Sequence, residues 1–186
     1  MARIFLGIPI PEAQCLQLVD FVSKIPPQPG IRWIRPANYH LTLAFLDELP
    51  EEAMDNVREA FCVGLKNHRA FSLDFYAYTF APSGRDPRML WARWEKNEPF
   101  RKLYERIRIL SEQIQPNLLF RNSPIPHITL ARLKGGVDTR EIDLRKGGGV
   151  SPLKVEKVVI WESLRNEKGQ VSYKALSEII LAREDH

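Results

Sequence analysis

Two tetrads carry the chemistry that this sequence can offer: His40-Leu41-Thr42-Leu43 and His127-Ile128-Thr129-Leu130. Each sets a His and a Thr two residues apart, alternating with apolar residues. That is the period of a half-buried strand, so imidazole and hydroxyl share one face while the aliphatic residues anchor the other. The chain holds only four histidines, and two of them open such a tetrad, so the pair says far more than either alone. Imidazole titrates near neutrality. One neutral ring can take a proton from water while a second, protonated ring gives one to a leaving alkoxide. The reaction that needs both on opposite sides of one atom is in-line displacement at phosphorus, with the Thr42 and Thr129 hydroxyls donating to the non-bridging oxygens where charge gathers. A cyclic phosphate suits such a site, because ring strain labilises its P–O bond and its alkoxide needs a proton.

The elements that must position these strands are legible on either side of them. Ala2 to Pro9 reads as a strand, followed by a helix opened by Pro11 and carrying Leu16, Val19, Phe21 and Val22. Strands are expected over Arg32 to Ile34 and His40 to Leu46, then a helix from Glu51 to Lys66 and an alternating Phe71, Leu73, Phe75. The second half repeats the order: a strand from Met89 to Trp94, a helix from near Asn97 with Leu103, Ile107 and Leu110 on one face, then the strand His127 to Leu133. Lys134 to Gly149 reads as a long loop and Leu153 to Trp161 as a strand, while Gln170 to Ala182 fits helix or strand. Two approximate repeats, residues 1–80 and 87–182, are therefore expected within one bilobal domain spanning 1–186.

Composition narrows the class. With 186 residues and 44% hydrophobic content the chain can bury a core, and a net charge of +4 favours an anionic partner without proving one. Cys15 and Cys62 lack a CxxC partner and are expected as reduced core residues. The apolar stretch Ile4 to Ile10 is too short for a signal peptide or a membrane span, which leads us to expect a cytoplasmic protein. No Gly-rich phosphate loop and no acidic cluster suited to a two-metal nuclease is present, so neither ATP, Mg²⁺ nor another cofactor is implied. Zinc would need further ligands, and Asp47 and Glu48 lack a recurring spacing.

The tetrads and their surroundings resemble the two-histidine (2H) phosphoesterase superfamily, most closely its RNA 2',3'-cyclic phosphodiesterases, historically called 2'-5' RNA ligases. The resembling segments are Arg3-Ile4-Phe5, Arg32-Trp33-Ile34-Arg35-Pro36 leading into His40 to Leu46, Pro87 to Trp91, Pro126 to Arg132, and Glu162-Ser163-Leu164 to Tyr173. The resemblance implies an α+β, bilobal, pseudo-two-fold fold with antiparallel sheets lining a central cleft and helices outside. It implies His40 as proton donor, His127 as proton acceptor, and an RNA 2',3'-cyclic phosphate end opened to a 2'-phosphate. Some members also join tRNA halves through a 2'-5' linkage without ATP. Arg132 corresponds to a family arginine; strict alternation puts it on the face opposite His127, unless a bulge or strand end re-aims it onto a phosphate.

Other readings remain open at this point. The same groups could bind an RNA end without turnover, or act on ADP-ribose cyclic phosphate or a 2'-5' oligonucleotide. Trp33, Trp91 and Trp94 could stack on bases or pack in the core, and Arg32, Arg35, Arg85 and Arg88 could form a basic rim or a solvated surface. His68 and His186 lack the Thr partner and read as spectators. The oligomeric state is not legible.

Overall fold

The computed structural model describes residues 1–116, 118–120 and 124–183. In chain order its elements are β1 (Ala2–Pro9), α1 (Glu12–Ser23), β2 (Ile31–Trp33), β3 (His40–Leu49), α2 (Met54–Leu65), β4 (Phe71–Leu73) and β5 (Phe75–Ala81). They continue with β6 (Met89–Trp94), α3 (Glu98–Ile114), β7 (His127–Leu133), β8 (Leu153–Val155), β9 (Lys157–Arg165) and β10 (Val171–Ile180). This is an α+β fold. The main sheet runs β10-β9-β1-β3-β7-β6-β5 with every pair antiparallel, β2 adds to β7, and β4 with β8 forms a separate ribbon.

The two halves of the main sheet meet where β3 pairs with β7, at Leu41 opposite Ile128. Both side chains are fully buried, so the apolar positions of the two tetrads join the lobes through the core. Antiparallel partners share a face and neighbours alternate. His40, Thr42, His127 and Thr129 must therefore all stand on the opposite face, and extending this register sets His40 level with Thr129 and Thr42 level with His127.

Each tetrad strand carries a bulge at the same place. The β1–β3 pairing slips between Leu6/Ala44 and Gly7/Thr42, leaving Leu43 extra, and the β6–β7 pairing slips between Leu90/Ala131 and Trp91/Thr129, leaving Leu130 extra. An extra residue flips the alternation beyond it. Leu43 and Ala44 are accordingly both buried, as are Leu130 and Ala131, and the next residues, Phe45 and Arg132, turn back to the face of the histidines.

Gly7 lies at the first of these bulges, and a methyl group there would sit 2.5 Å from the Leu41 carbonyl oxygen and 3.0 Å from the Trp161 ring. The neighbour that would have to move is tetrad backbone, not a flexible side-chain end. Gly7→Ala is expected to cost about 1–3 kcal/mol of stability by overpacking, read as a lowered urea midpoint. Unchanged unfolding would contradict this account of how β1 seats the first tetrad.

The helices follow their sequence signals in part. Asn97 caps α3 by accepting from the Phe100 amide at 3.0 Å, and Leu103, Ile107 and Leu110 are buried as expected. Val57, Phe61 and Leu65 anchor α2. In α1 the buried face is Gln14, Leu18 and Phe21, while Leu16 is exposed, because the Gln14 amide donates to Pro152 O at 2.9 Å and turns the helix. Cys15 is half-buried and Cys62 exposed, so the expectation of two core cysteines is corrected: Cys62 follows Phe61 on the outer side of α2. The alternating Phe71, Leu73, Phe75 run belongs to two sheets, Leu153 to Trp161 is interrupted at Glu156, and the ambiguous segment near the end of the chain is the edge strand β10. Among the described residues no helix is long and apolar enough to cross a membrane.

Candidate active site

The four tetrad groups line a cleft of about 330 Å³, within the range of small-ligand sites, together with Ile34, Phe45, Trp91, Arg132 and Tyr173. His40 and His127 are oriented in the same way. His40 Nδ1 lies 2.8 Å from Asn38 O, and His127 Nδ1 lies 2.7 Å from Ile125 O, each a carbonyl two residues upstream. A carbonyl only accepts, so Nδ1 carries the hydrogen in both rings and Nε2 is the basic nitrogen of each neutral imidazole. At His40 the Thr42 hydroxyl donates to that Nε2 at 2.9 Å.

Aromatic rings support both imidazoles, by different means. His127 stacks on Trp91 with centroids 3.9 Å apart. At the position of β1 equivalent to Trp91 stands Gly7, and His40 is instead enclosed by Phe5 at 4.9 Å, Tyr173 at 5.0 Å and Trp161 at 5.6 Å. Burial holds the His40 pKa below its ordinary 6.5, opposed by the Nδ1–H bond to Asn38 and reinforced by the neighbouring His127. Burial also raises the Tyr173 pKa, partly offset by the Arg132 charge, so this phenol keeps its proton and stands as a donor at the cleft wall.

Arg132 is brought to the cleft by the Leu130 bulge, which overturns strict alternation in favour of the re-aimed alternative. The tryptophans take the packing alternative: Trp94 is in the core, Trp33 packs against it, and Trp91 is buried beneath His127. Of the basic residues, Arg88 pairs with Asp86 at 2.6 Å. His68 packs against Phe71, away from the cleft, and His186 lies outside the described residues. No group of three or more His, Cys, Asp or Glu able to hold a metal assembles among the described residues.

Sequence reasoning missed Phe45 and the Asn38 carbonyl. Phe45 is a large apolar residue left 57% exposed at the cleft; its only signal was its place five residues after His40, matching Arg132 after His127. The arrangement as a whole can take a proton on one side of a bound group, deliver one on the other, and surround the group with neutral and cationic donors.

The chain is similar to several known proteins. Residues 8–91 match the family described as LigT-like phosphoesterases. A Thermus thermophilus relative named RNA 2',3'-cyclic phosphodiesterase is 31% identical over 71% of this chain and 69% of its own length. A Thermotoga maritima protein of the same name is 29% identical over 71% of this chain and 70% of its own. Among solved structures, a protein from Thermus thermophilus superposes with a TM-score of 0.80 at 27% identity, covering 98% of this chain and all of its own. Escherichia coli LigT in its apo form gives 0.74 at 22% identity, over 97% of this chain and 98% of its own, a likeness of fold.

Proposed function

Because the chain belongs to the LigT-like phosphoesterase family, we propose that it hydrolyses the 2',3'-cyclic phosphate end of an RNA to a 2'-phosphate, with His40 as proton donor and His127 as proton acceptor. The observation that carries this reading is the level pairing of the two tetrads around Leu41 and Ile128, with the same Nδ1–H contact to a carbonyl two residues upstream making Nε2 the basic nitrogen of each neutral ring. Water attacks phosphorus in line and its proton passes to His127 Nε2. The bond from phosphorus to O3' breaks, and O3' takes the proton from His40 Nε2. One water is thereby added across one P–O bond, and the rings end with their protonation exchanged. Thr42, Thr129 and Arg132 hold the non-bridging oxygens. Two imidazoles suffice for these proton transfers, and a cofactor is not required by the scheme. With a ribose 5'-hydroxyl in place of water as the nucleophile, the same steps would form a 2'-5' linkage, including between tRNA halves. We infer that the two repeats act as one domain, since each supplies half of the site, and that an RNA substrate makes the cytoplasm its compartment.

The lowered His40 pKa bears directly on this assignment. At pH 7 a pKa lowered by burial keeps the His40 ring largely neutral; a phosphate anion in the cleft favours the charged ring and raises its pKa, supplying the acid where it is needed. His40 is expected to titrate below 6.5 in the free protein and to move upward with inorganic phosphate bound, followed through its ring-proton NMR shifts. A free-state value at or above 6.5 that phosphate leaves unmoved would contradict it. The substrate class is tested by comparing turnover of an RNA cyclic phosphate with ADP-ribose cyclic phosphate and a 2'-5' oligonucleotide. The reading expects the first to dominate, and preference for either of the others replaces it.

A further inference from the structure

The catalytic groups of the cleft are nearly two-fold symmetric, but its two ends are not. His127, Thr129 and Arg132 follow His40, Thr42 and Phe45 at a constant offset of 87 residues (127 minus 40, 132 minus 45). Next to Arg132 across the β2–β7 pairing stands Arg32. The residue related to Arg32 by the same offset is Leu119, which is fully exposed and lines the cleft together with Phe45. One end thus presents two arginines, and the other presents Leu119 and Phe45.

Arg32 and Arg132 are directly opposed on antiparallel strands, so their side chains rise from the same face, the face of the histidines. Both are exposed. Like charges in this position repel, and a protein commonly offsets that with a carboxylate. Arg58, Arg88, Arg101, Arg108, Arg140 and Arg145 each have one within salt-bridge distance, whereas among the described residues Arg32 and Arg132 have none. The uncompensated pair suits an anion from outside. Their backbones lie three residues along β7 from Thr129, about 10 Å at ~3.3 Å per residue; the Arg132 side chain, which lines the cleft, reaches back to the reacting phosphate, while Arg32 on the next strand is within reach of the following one along a chain.

We propose that Arg32, paired with Arg132, forms a subsite for the phosphodiester immediately upstream of the terminal nucleotide, and so sets the direction in which an RNA strand enters. The terminal base lies toward Phe45 and Leu119, and the chain leaves over the arginines. This rests on the reading that the cleft holds an RNA end, and it adds a polarity and a minimum length: a dinucleotide engages a contact that a mononucleotide cannot. The planar fork of Arg32 can take two oxygens of one phosphate, while its place at the cleft rim leaves the reacting phosphate to Arg132.

The test is binding, which can be read whether or not turnover occurs. Affinities of a nucleoside 2'-phosphate and of a dinucleotide ending in the same 2'-phosphate are measured for the wild type, Arg32→Ala and Arg32→Lys. The wild type is expected to favour the dinucleotide. Arg32→Ala should weaken the dinucleotide about tenfold and shallow its salt dependence by about 0.7 in log–log slope, as for one lost phosphate contact on a single strand. The mononucleotide should be unchanged, and Arg32→Lys should recover part of the loss. Equal wild-type affinities for the two ligands, or equal loss on both in Arg32→Ala, would overturn the subsite. Wild-type hydrolysis of the cyclic end is scored separately, so failure of the reaction and failure of the subsite are told apart.

Discussion

Replacing either His40 or His127 by alanine is expected to lower turnover of an RNA 2',3'-cyclic phosphate by roughly 10² to 10⁴, with the fold retained. Both rings are half-buried at the cleft, on the face away from the Leu41–Ile128 contact, so their loss leaves the joint between the lobes in place. The two act as one device, since a proton taken on one side must be matched by one given on the other. The double variant should therefore be scarcely slower than either single one, rather than the product of the two losses. Multiplying losses would show that the rings act independently. Near-normal turnover by a folded single variant would remove that ring from the chemistry.

Next in size is the loss of a threonine hydroxyl. Thr42→Val or Thr129→Val keeps the β-branched shape that suits these strands and removes one donor to the non-bridging oxygens. Removing a donor of that kind costs about 10² to 10³ in rate. The Thr42 hydroxyl donates to the Nε2 of a neutral His40. When His40 is protonated that nitrogen becomes a donor, so the hydroxyl must turn to another acceptor, and a phosphate oxygen is the one at hand. The effect should fall on kcat more than on KM, because the charge these hydroxyls meet is greatest in the transition state. A change confined to KM would reduce them to substrate holders.

The tetrads could be read directly because the chemistry and the strand period coincide in the same four residues, and the amphipathic faces of α2 and α3 were legible for the same reason. What resisted reading depends on partners distant in sequence. The bulges at Leu43 and Leu130 exist only relative to β1 and β6, and without them neither the place of Arg132 nor that of Phe45 follows. The inner face of α1 turns on Gln14 meeting Ser151 and Pro152, residues more than a hundred positions away. Strand β10 alternates weakly because it is an edge strand with much of both faces exposed, which left its period ambiguous. Tyr173 on that strand reaches His40 only because β9 and β1 set it there.

One experiment addresses the central claim most directly: incubation of the protein with a short RNA ending in a 2',3'-cyclic phosphate, in EDTA, with the product identified. Conversion to the 2'-phosphate is expected at a rate that EDTA leaves unchanged, with loss of that conversion in the His40→Ala variant. A 3'-phosphate product would contradict the assignment of the leaving oxygen, and turnover that EDTA abolishes would contradict catalysis by the two imidazoles alone.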